Sequence, residues 1–499
     1  MHWSVNRMIL AGCALLLAAG PARAAAPEPP EVQSRDFAGM AAKLAVGTRL
    51  RLENLQVAGT GEARALMLER FEVFAKDAQI TVHGDGGDKV LPPPANVYFR
   101  GEVDGKPGSR AFLEKLEDGR TQGVVSEGEE IYLIGGDETS AKALGGPLSM
   151  QRVDPVLLKA SRGEAFNCGN TQLPSRGAKG SVLDLGGTAS QLPQLTEKVA
   201  VATHTGRVAV ETDFEFYQLF NNSTNATNYI GNLIGFASTV YTAELSTSLV
   251  VQSVSLWTTS SDPWTTWPAP LIGHPDVRTN CGLYELGYYW NKNKMGVSRT
   301  ITHFLSGKLY GGGVAWLNAL CASPSQFNFT DTVDCPGIPT DVSWFGNYSF
   351  TANIAGTFNV NNPAVVWDIY SVSHEIGHNF GSPHSHCYNG LEGNSSPIDQ
   401  CYGSESGCYA GAKSLPGPAG AGSGTIMSYC HLVRNSFTDM SLTFGTNFAY
   451  GVQPGREAAH MNSYISSVAS SNPACIAPVA STSAIFSDGF ESGTTASWH

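Results

Sequence analysis

The first regular pattern along the chain is a series of short runs in which apolar and polar residues alternate. From about residue 35 to residue 163, apolar and polar residues alternate, as in Gln79-Ile80-Thr81-Val82-His83 and Glu130-Ile131-Tyr132-Leu133-Ile134, and Gly, Asp and Pro separate the runs. Such alternation is typical of β-strands that bury one face. The pattern therefore predicts a β-rich unit ahead of the rest of the chain.

The pattern changes near residue 199. A strand-like run over 207–216 precedes apolar residues at helical spacing between Ala226 and Leu245, and residues 249–256 return to a strand pattern. This order predicts a β-α-β unit. A second apolar helix is predicted from Ala364 to Phe380, and a final helix over 455–467.

Composition and charge narrow the class of protein. The chain has 499 residues, of which 42% are hydrophobic and 15% charged, so it is long enough for two folded units. The net charge of −12, with no basic run interleaved with aromatics, argues against nucleic acid and anionic membranes as partners. Beyond the N-terminus no stretch reaches the ~20 apolar residues of a membrane span. We therefore expect no stable membrane association.

The first 26 residues have the pattern of a signal peptide. Arg7 precedes an apolar run from Met8 to Ala19, and Ala22-Arg23-Ala24 offers small residues for cleavage. The pattern predicts secretion to the extracellular space, with the periplasm as the alternative.

The cysteines divide into a group of eight and one that stands apart. Of ten cysteines, Cys13 would leave with the signal peptide, and nine remain. Eight can form four disulfides in an oxidising compartment, and they are Cys281, Cys321, Cys335, Cys387, Cys401, Cys408, Cys430 and Cys475. Cys168 is left over, just before a stretch rich in Gly, Ser and Pro in which Arg176 and Lys179 are candidate cleavage points.

Residues 374–384 read His-Glu-Ile-Gly-His-Asn-Phe-Gly-Ser-Pro-His. Positions four apart on a helix share a face, so His374 and His378 can bind one ion. Gly381 permits a turn out of the helix, which brings His384 back toward the metal from a loop. Three protein ligands leave one position open, which is typical of a catalytic zinc site. The alternative is a surface histidine cluster or a structural metal site.

Glu375 directly follows the first histidine of this motif. At that position a carboxylate can hydrogen-bond a zinc-bound water without ligating the metal. We expect Glu375 to act as the general base, taking the proton of the water and passing it to the leaving amine. The motif therefore predicts hydrolysis of peptide bonds with one catalytic Zn²⁺.

The motif resembles that of the metzincin metallopeptidases and is most similar to the adamalysin (reprolysin) branch. The resemblance implies a zincin-type α/β (α+β) catalytic domain with a twisted mixed sheet and a long active-site helix, preceded by a β-rich prodomain. Residues 424–431, Gly-Thr-Ile-Met-Ser-Tyr-Cys-His, resemble the methionine turn and put Met427 beneath the zinc. Tyr429 is then a candidate auxiliary ligand or oxyanion stabiliser, the alternative being a buried tyrosine with a satisfied hydroxyl.

Further residues either support the resemblance or depart from it. Residues 311–321 resemble the edge strand over the metzincin cleft, whose backbone would pair with an extended substrate. Cys168-Gly169 resembles a cysteine switch, in which a thiolate occupies the open position of zinc, and the alternative is a thiol with no role at the metal. Ser385 stands where the adamalysin branch commonly has aspartate. His386 adds another imidazole, although the Gly-x-x-His spacing favours His384 as the ligand.

These observations predict four parts of the chain. They are a signal peptide over 1–26, a propeptide with a cysteine switch and an activation linker over 27–198, a catalytic domain over 199–475 and a tail over 476–499. We expect a secreted, monomeric zinc metalloendopeptidase that is made as a latent zymogen and acts on proteins or peptides. Structural Ca²⁺ is not readable from the sequence. The alternatives are an adhesin or toxin on a metzincin fold, and an enzyme largely limited to processing itself.

Overall fold

The computed structural model describes residues 29–135, 148–161, 166–169, 202–267, 277–324, 335, 344–417, 420, 422–434, 436–445 and 455–479. We call the described parts of 29–161 the N-terminal unit, residues 166–169 the Cys168 segment, and the described parts of 202–479 the C-terminal unit. The predicted signal peptide, Arg176, Lys179 and residues 480–499 of the predicted tail lie outside the described residues.

The secondary structure changes character between the two units. The strands are β1 (Glu31–Gln33), β2 (Arg49–Val57), β3 (Ala63–Phe71), β4 (Phe74–His83), β5 (Lys89–Leu91), β6 (Val97–Val103), β7 (Arg110–Lys115), β8 (Thr121–Glu127), β9 (Glu130–Ile134), β10 (Ser149–Arg152), β11 (Asn167–Cys168), β12 (His204–Thr212), β13 (Thr247–Trp257), β14 (Ile301–Leu305), β15 (Gly312–Ala315), β16 (Tyr348–Thr351) and β17 (Ile476–Pro478). The α-helices are α1 (Phe37–Ala41), α2 (Pro155–Ala160), α3 (Phe214–Gln218), α4 (Ser223–Leu245), α5 (Val277–Asn293), α6 (Val365–Asn379) and α7 (Arg456–Ser471). The N-terminal unit is therefore β-rich, as predicted.

The main element of the N-terminal unit is an eight-stranded sheet that closes on itself. Its strands follow the order β1-β2-β10-β9-β8-β7-β6-β3, and an additional antiparallel pairing of β2 with β3 closes the sheet on itself. Alternate residues point inward, so that Leu50, Leu66, Phe99 and Leu113 share one buried cluster inside the unit. The opposite side of β6 and β7 carries Tyr98 and Phe112, which belong to a different buried cluster shared with the C-terminal unit.

The C-terminal unit is built on a mixed sheet. Its strands follow the order β11-β15-β16-β14-β12-β13-β4-β5, with β17 antiparallel to the start of β12. Strands β12 and β13 are parallel and α4 connects them, which confirms the predicted β-α-β unit. Strands β4 and β5 of the N-terminal unit extend this sheet, because β4 lies parallel to β13. Strand β17 continues the folded sheet past Cys475.

One predicted strand is shorter than its pattern indicates. Residues 207–216 alternate as a strand would, yet β12 ends at Thr212 and residues 214–216 begin the short helix α3. The carboxylate of Asp213 accepts a hydrogen bond from the backbone N–H of Phe216 at 2.8 Å and caps that helix. This N-cap gives the N–H of Phe216 a hydrogen-bond partner within the helix. The helix therefore forms although the residues alternate as a strand would.

Helix α4 is bounded by local capping residues, and α6 is an apolar, buried helix. Helix α4 starts at the side chain of Asn222, which accepts from the N–H of Asn225, and ends at Ser246 in the left-handed conformation. Helix α6 is buried along its whole length, in agreement with the predicted apolar helix over 364–380. None of the helices in the described residues is both long and apolar enough to cross a membrane.

The eight cysteines of the C-terminal unit form four disulfides, as the cysteine count predicts. The pairs are Cys281–Cys335, Cys321–Cys475, Cys387–Cys408 and Cys401–Cys430. Two of these bonds hold the region between Tyr388 and Gly424, whose described residues contain little regular secondary structure. Such a set of disulfides is typical of an extracellular or periplasmic protein.

Candidate metal centre and active site

His374 and His378 lie one turn apart on α6, and their side chains converge. The two Nε2 atoms are 3.2 Å apart, and both side chains are buried. Between them, Gly377 allows Met427 to pack directly under the helix. A Cβ at Gly377 would lie 2.4 Å from the Met427 sulfur, so any larger residue would push these elements apart. The spacing of the two histidines thus produces the shared face that the sequence predicts.

The chain leaves α6 through Gly381 and returns with His384. Gly381 has a φ of +103°, which L side chains rarely adopt, and a Cβ there would approach the ring of Tyr464 to 2.7 Å. The turn brings His384 beside the other two histidines. One ligand atom from each of Cys168, His374, His378 and His384 lies within 4.8 Å of the others.

Each of the three imidazoles is oriented by an oxygen at its outer nitrogen. The Nδ1 atoms of His374 and His378 lie 2.6 and 2.7 Å from the backbone carbonyls of Ile426 and Ser382. The Nδ1 of His384 lies 2.7 Å from the Glu405 carboxylate. Because these oxygens can only accept, Nδ1 carries the proton in each ring, and Nε2 presents a lone pair toward the cluster.

Such a convergence of lone pairs fits a zinc ion. Two acceptor nitrogens 3.2 Å apart repel each other unless a cation lies between them, and His384 Nε2 has no hydrogen-bond partner in the described residues. Tetrahedral nitrogen ligands at the usual Zn–N distance lie roughly 3.3–3.4 Å apart. A histidine that binds zinc through one ring nitrogen usually donates from its other nitrogen to a carboxylate or a backbone carbonyl. Burial, followed by the neighbouring imidazoles His378 and His384, holds the pKa of His374 well below its usual range.

Glu375 lies beside this cluster with one oxygen uncommitted. Its Oε2 accepts from the Cys168 thiol at 3.5 Å, and its Oε1 has no hydrogen-bond partner in the described residues. Burial raises the pKa of the Glu375 carboxyl well above its usual value, although the hydrogen bond from Cys168 opposes this. On the other side Gly313 of β15 makes room for the carboxylate, since a Cβ there would lie 2.5 Å from Oε1.

The Cys168 segment runs through the cleft as a short strand. Asn167 pairs with Gly312 and Cys168 with Gly313, in parallel with β15, so the predicted edge strand is already occupied. Cys168 is not in a disulfide, and its sulfur lies 3.4 Å from His378 Nε2. Tetrahedral sulfur and nitrogen ligands of one zinc would lie about 3.5–3.6 Å apart.

Tyr429 and His431 bind the backbone of this segment. The hydroxyl of Tyr429 accepts from the Cys168 N–H and donates to the Cys168 carbonyl, each at 3.0 Å. His431 Nε2 lies 2.9 Å from the Phe166 carbonyl. Tyr429 therefore has a satisfied hydroxyl here, but its partner is the chain that occupies the cleft and not a neighbour in its own core.

Sequence reasoning missed Glu405 altogether. Its Oε2 lies 2.7 Å from His384 Nδ1 and 2.7 Å from His386 Nε2, so one carboxylate orients both rings. Burial opposes ionisation of Glu405, but the hydrogen bonds from His384 and His386 hold the pKa of its carboxyl below the usual range. His386 is close to His384 in sequence, and its ring is thus directed at Glu405. The flanking residues of Glu405 in the loop contain no signal that could have identified it.

Comparison with known families agrees with this site. Residues 202–441 match the Reprolysin_5 model, described as metallo-peptidase family M12. The resemblance to reprolysin-like metallopeptidases is thereby confirmed, and this stretch carries a metallopeptidase domain of that family. Enzymes of this family use zinc and hydrolyse peptide bonds, which implies protein or peptide substrates. No curated protein matches the chain.

Two solved structures show weak likeness. Metalloproteinase-II from Bacteroides fragilis is 11% identical over 74% of this chain and 94% of its own, with a TM-score of 0.36. A structure described as a chaperone–substrate complex is 12% identical over 53% of this chain and 34% of that chain, with a TM-score of 0.27. At these values neither adds to the assignment, which rests on the family match.

Proposed function

We propose that the protein is a secreted zinc metalloendopeptidase that is made as a latent zymogen. The observation that carries this proposal is the convergence of three Nε2 lone pairs from His374, His378 and His384 on one buried point beside Glu375. Under this proposal residues 1–26 are a signal peptide, 27–198 a propeptide and 199–475 the catalytic domain, whose sheet extends into β17, and the residues after β17 are a tail.

His374, His378 and His384 would hold the metal. When bound in such a site, Zn²⁺ supplies a Lewis acid that polarises a carbonyl and lowers the pKa of water. Glu375 takes the proton of the attacking water and transfers it to the leaving amine, for which its uncommitted oxygen is suitably placed. Tyr429 donates its hydroxyl hydrogen to the oxygen of the scissile carbonyl after the Cys168 backbone has left. The backbone of β15 binds the substrate as an extended strand.

Latency follows from the occupant of the cleft. The Cys168 sulfur is the fourth member of the ligand group, and as a thiolate on a bound zinc it would occupy the position that catalysis needs. Pairing of Asn167 and Cys168 with β15 excludes a substrate strand from the same edge. Cleavage in the activation linker would release this segment, and the protein would then be active.

Zinc dependence is the first test of the proposed function. Casein hydrolysis by the cleaved protein should stop on addition of o-phenanthroline and return when zinc is added back, because the three imidazoles alone supply no electrophile. A protein that binds zinc but cleaves no casein, gelatin or peptide library in either form would contradict the proposal. Cleavage of its own linker and nothing else would restrict the enzyme to self-processing.

Glu405 is expected to tune zinc affinity through His384. Glu405→Gln removes the charge that orients the His384 ring, and loss of such a partner weakens zinc binding by roughly tenfold or more. Zinc dissociation constants can be measured by competition with a fluorescent chelator. Glu392→Gln, in the same loop but bound to His460, is the matched control and should leave affinity within about twofold. Equal zinc affinities of the two variants would contradict this role.

A further inference from the structure

We propose that the N-terminal unit remains bound to the C-terminal unit after the chain is cut, and that the mature enzyme is a complex of two fragments. Activation then displaces only the Cys168 segment, a statement that rests on the proposed latency. The proposal of a lasting complex itself rests on the contacts between the two units, described below.

The two units share one continuous sheet. Strand β4 pairs with β13 from Phe74 opposite Val251 to His83 opposite Trp257, and β5 continues the sheet beyond β4. The rings of His83 and Trp257 stack at 4.0 Å. Loss of the N-terminal unit would leave an eleven-residue strand, β13, as an open edge, which folded proteins avoid.

Helix α4 is shaped to receive aromatic side chains of the N-terminal unit. Gly231 and Gly235 lie one turn apart on its face. A Cβ at Gly235 would lie 2.4 Å from the Phe112 ring, and a Cβ at Gly231 would lie 2.9 Å from the Tyr98 hydroxyl. The glycines lower the helix propensity of α4, so their presence is explained by this close packing. Separation would expose this face of α4 together with the rings of Tyr98 and Phe112.

Buried charges cross the same interface. Arg110 of β7 forms an ion pair of 2.9 Å with Glu244 at the end of α4, and the two side chains are 5% and 0% exposed. Arg100 donates to the hydroxyls of Thr242 and Ser248 at 2.7 and 3.0 Å. Removing one partner of such a pair by mutation leaves an uncompensated buried charge, so the Arg110–Glu244 pair is a sensitive probe of this interface.

The Cys168 segment is held far less extensively. It contributes two paired strand residues, the hydrogen bonds to Tyr429 and His431, and the buried Phe166 ring. Its departure breaks none of the contacts of β4, Arg100 or Arg110. The contacts of the Cys168 segment are thus distinct from the contacts between the two units. The segment can leave the cleft while the two units stay bound to each other.

The test uses the full chain in the Glu375→Gln background, so that association is measured whether or not the protein is a peptidase. A recognition sequence for a site-specific protease is inserted after residue 185, the linker is cut, and the product is analysed by size-exclusion chromatography with light scattering. We expect both fragments to elute together in equal amounts in native buffer and to separate only in denaturant. Separate elution of a folded C-terminal fragment in native buffer would overturn the proposal.

Two arginine variants locate the interface. Arg110→Ala should raise the dissociation constant of the cut complex at least tenfold. Arg120→Ala, which removes an exposed arginine paired with Asp118 in the same unit, should change it less than about twofold. Gly235→Ala serves as a second variant because alanine favours the helix, so weaker association cannot come from an unstable α4. Equal dissociation constants for Arg110→Ala and Arg120→Ala would contradict the proposed interface.

Discussion

Glu375→Gln is expected to lower kcat/KM for peptide hydrolysis roughly 10²–10⁴-fold, the contribution of a positioned general base. Glutamine has the same shape as glutamate but cannot accept the proton of the attacking water. Gly313 approaches this side chain so closely that the amide should occupy the same place. The rate is measured with a fluorogenic peptide, and bound zinc is measured by atomic absorption.

The variant separates catalysis from metal binding. His374, His378 and His384 keep their oxygen partners in Glu375→Gln, so one zinc per chain should remain bound. Glu392→Gln is the control for a general effect of losing a carboxylate, and it should retain wild-type activity. Wild-type cleavage by the zinc-loaded Glu375→Gln protein would show that another group is the base.

The parts of the candidate site whose geometry follows from the sequence are local in the chain. His374 and His378 are separated by one helical turn, and Gly381 takes the positive φ that its position after the helix requires. The alternation in β4 and β9 and the helical spacing in α4 likewise depend only on neighbouring residues. Such features follow from backbone periodicity and steric rules, so one sequence is sufficient to identify them.

The features that could not be predicted depend on contacts between distant residues. The alternating residues 79–83 mark a strand, but nothing in them indicates that β4 pairs with β13 of the other unit. Glu405 lies in an irregular loop that the Cys387–Cys408 disulfide ties to the chain just after His384, and a sequence does not show which loop residue contacts that ring. The pairing of the eight cysteines is equally non-local. At residues 214–216, a single side-chain cap at Asp213 overrides the pattern.

Cys168→Ser is expected to activate the uncut chain. The thiolate is the only member of the four-ligand group that comes from the segment in the cleft, and serine is a far weaker zinc ligand. We expect peptide hydrolysis by the uncut variant to exceed that of the uncut wild type by roughly 10²-fold, which corresponds to about 2.8 kcal/mol of lost stabilisation of the closed state.

The uncut variant should still be less active than the cut wild type. Strand pairing with β15 and the hydrogen bonds of Tyr429 to the backbone of residue 168 do not depend on the sulfur, and they continue to compete with substrate. A protease-resistant linker keeps the chain uncut during the assay, and Cys168→Ser/Glu375→Gln controls for contaminating proteases. If uncut Cys168→Ser is as inactive as uncut wild type while the cut protein is active, latency resides in backbone occupation of the cleft and not in the thiolate.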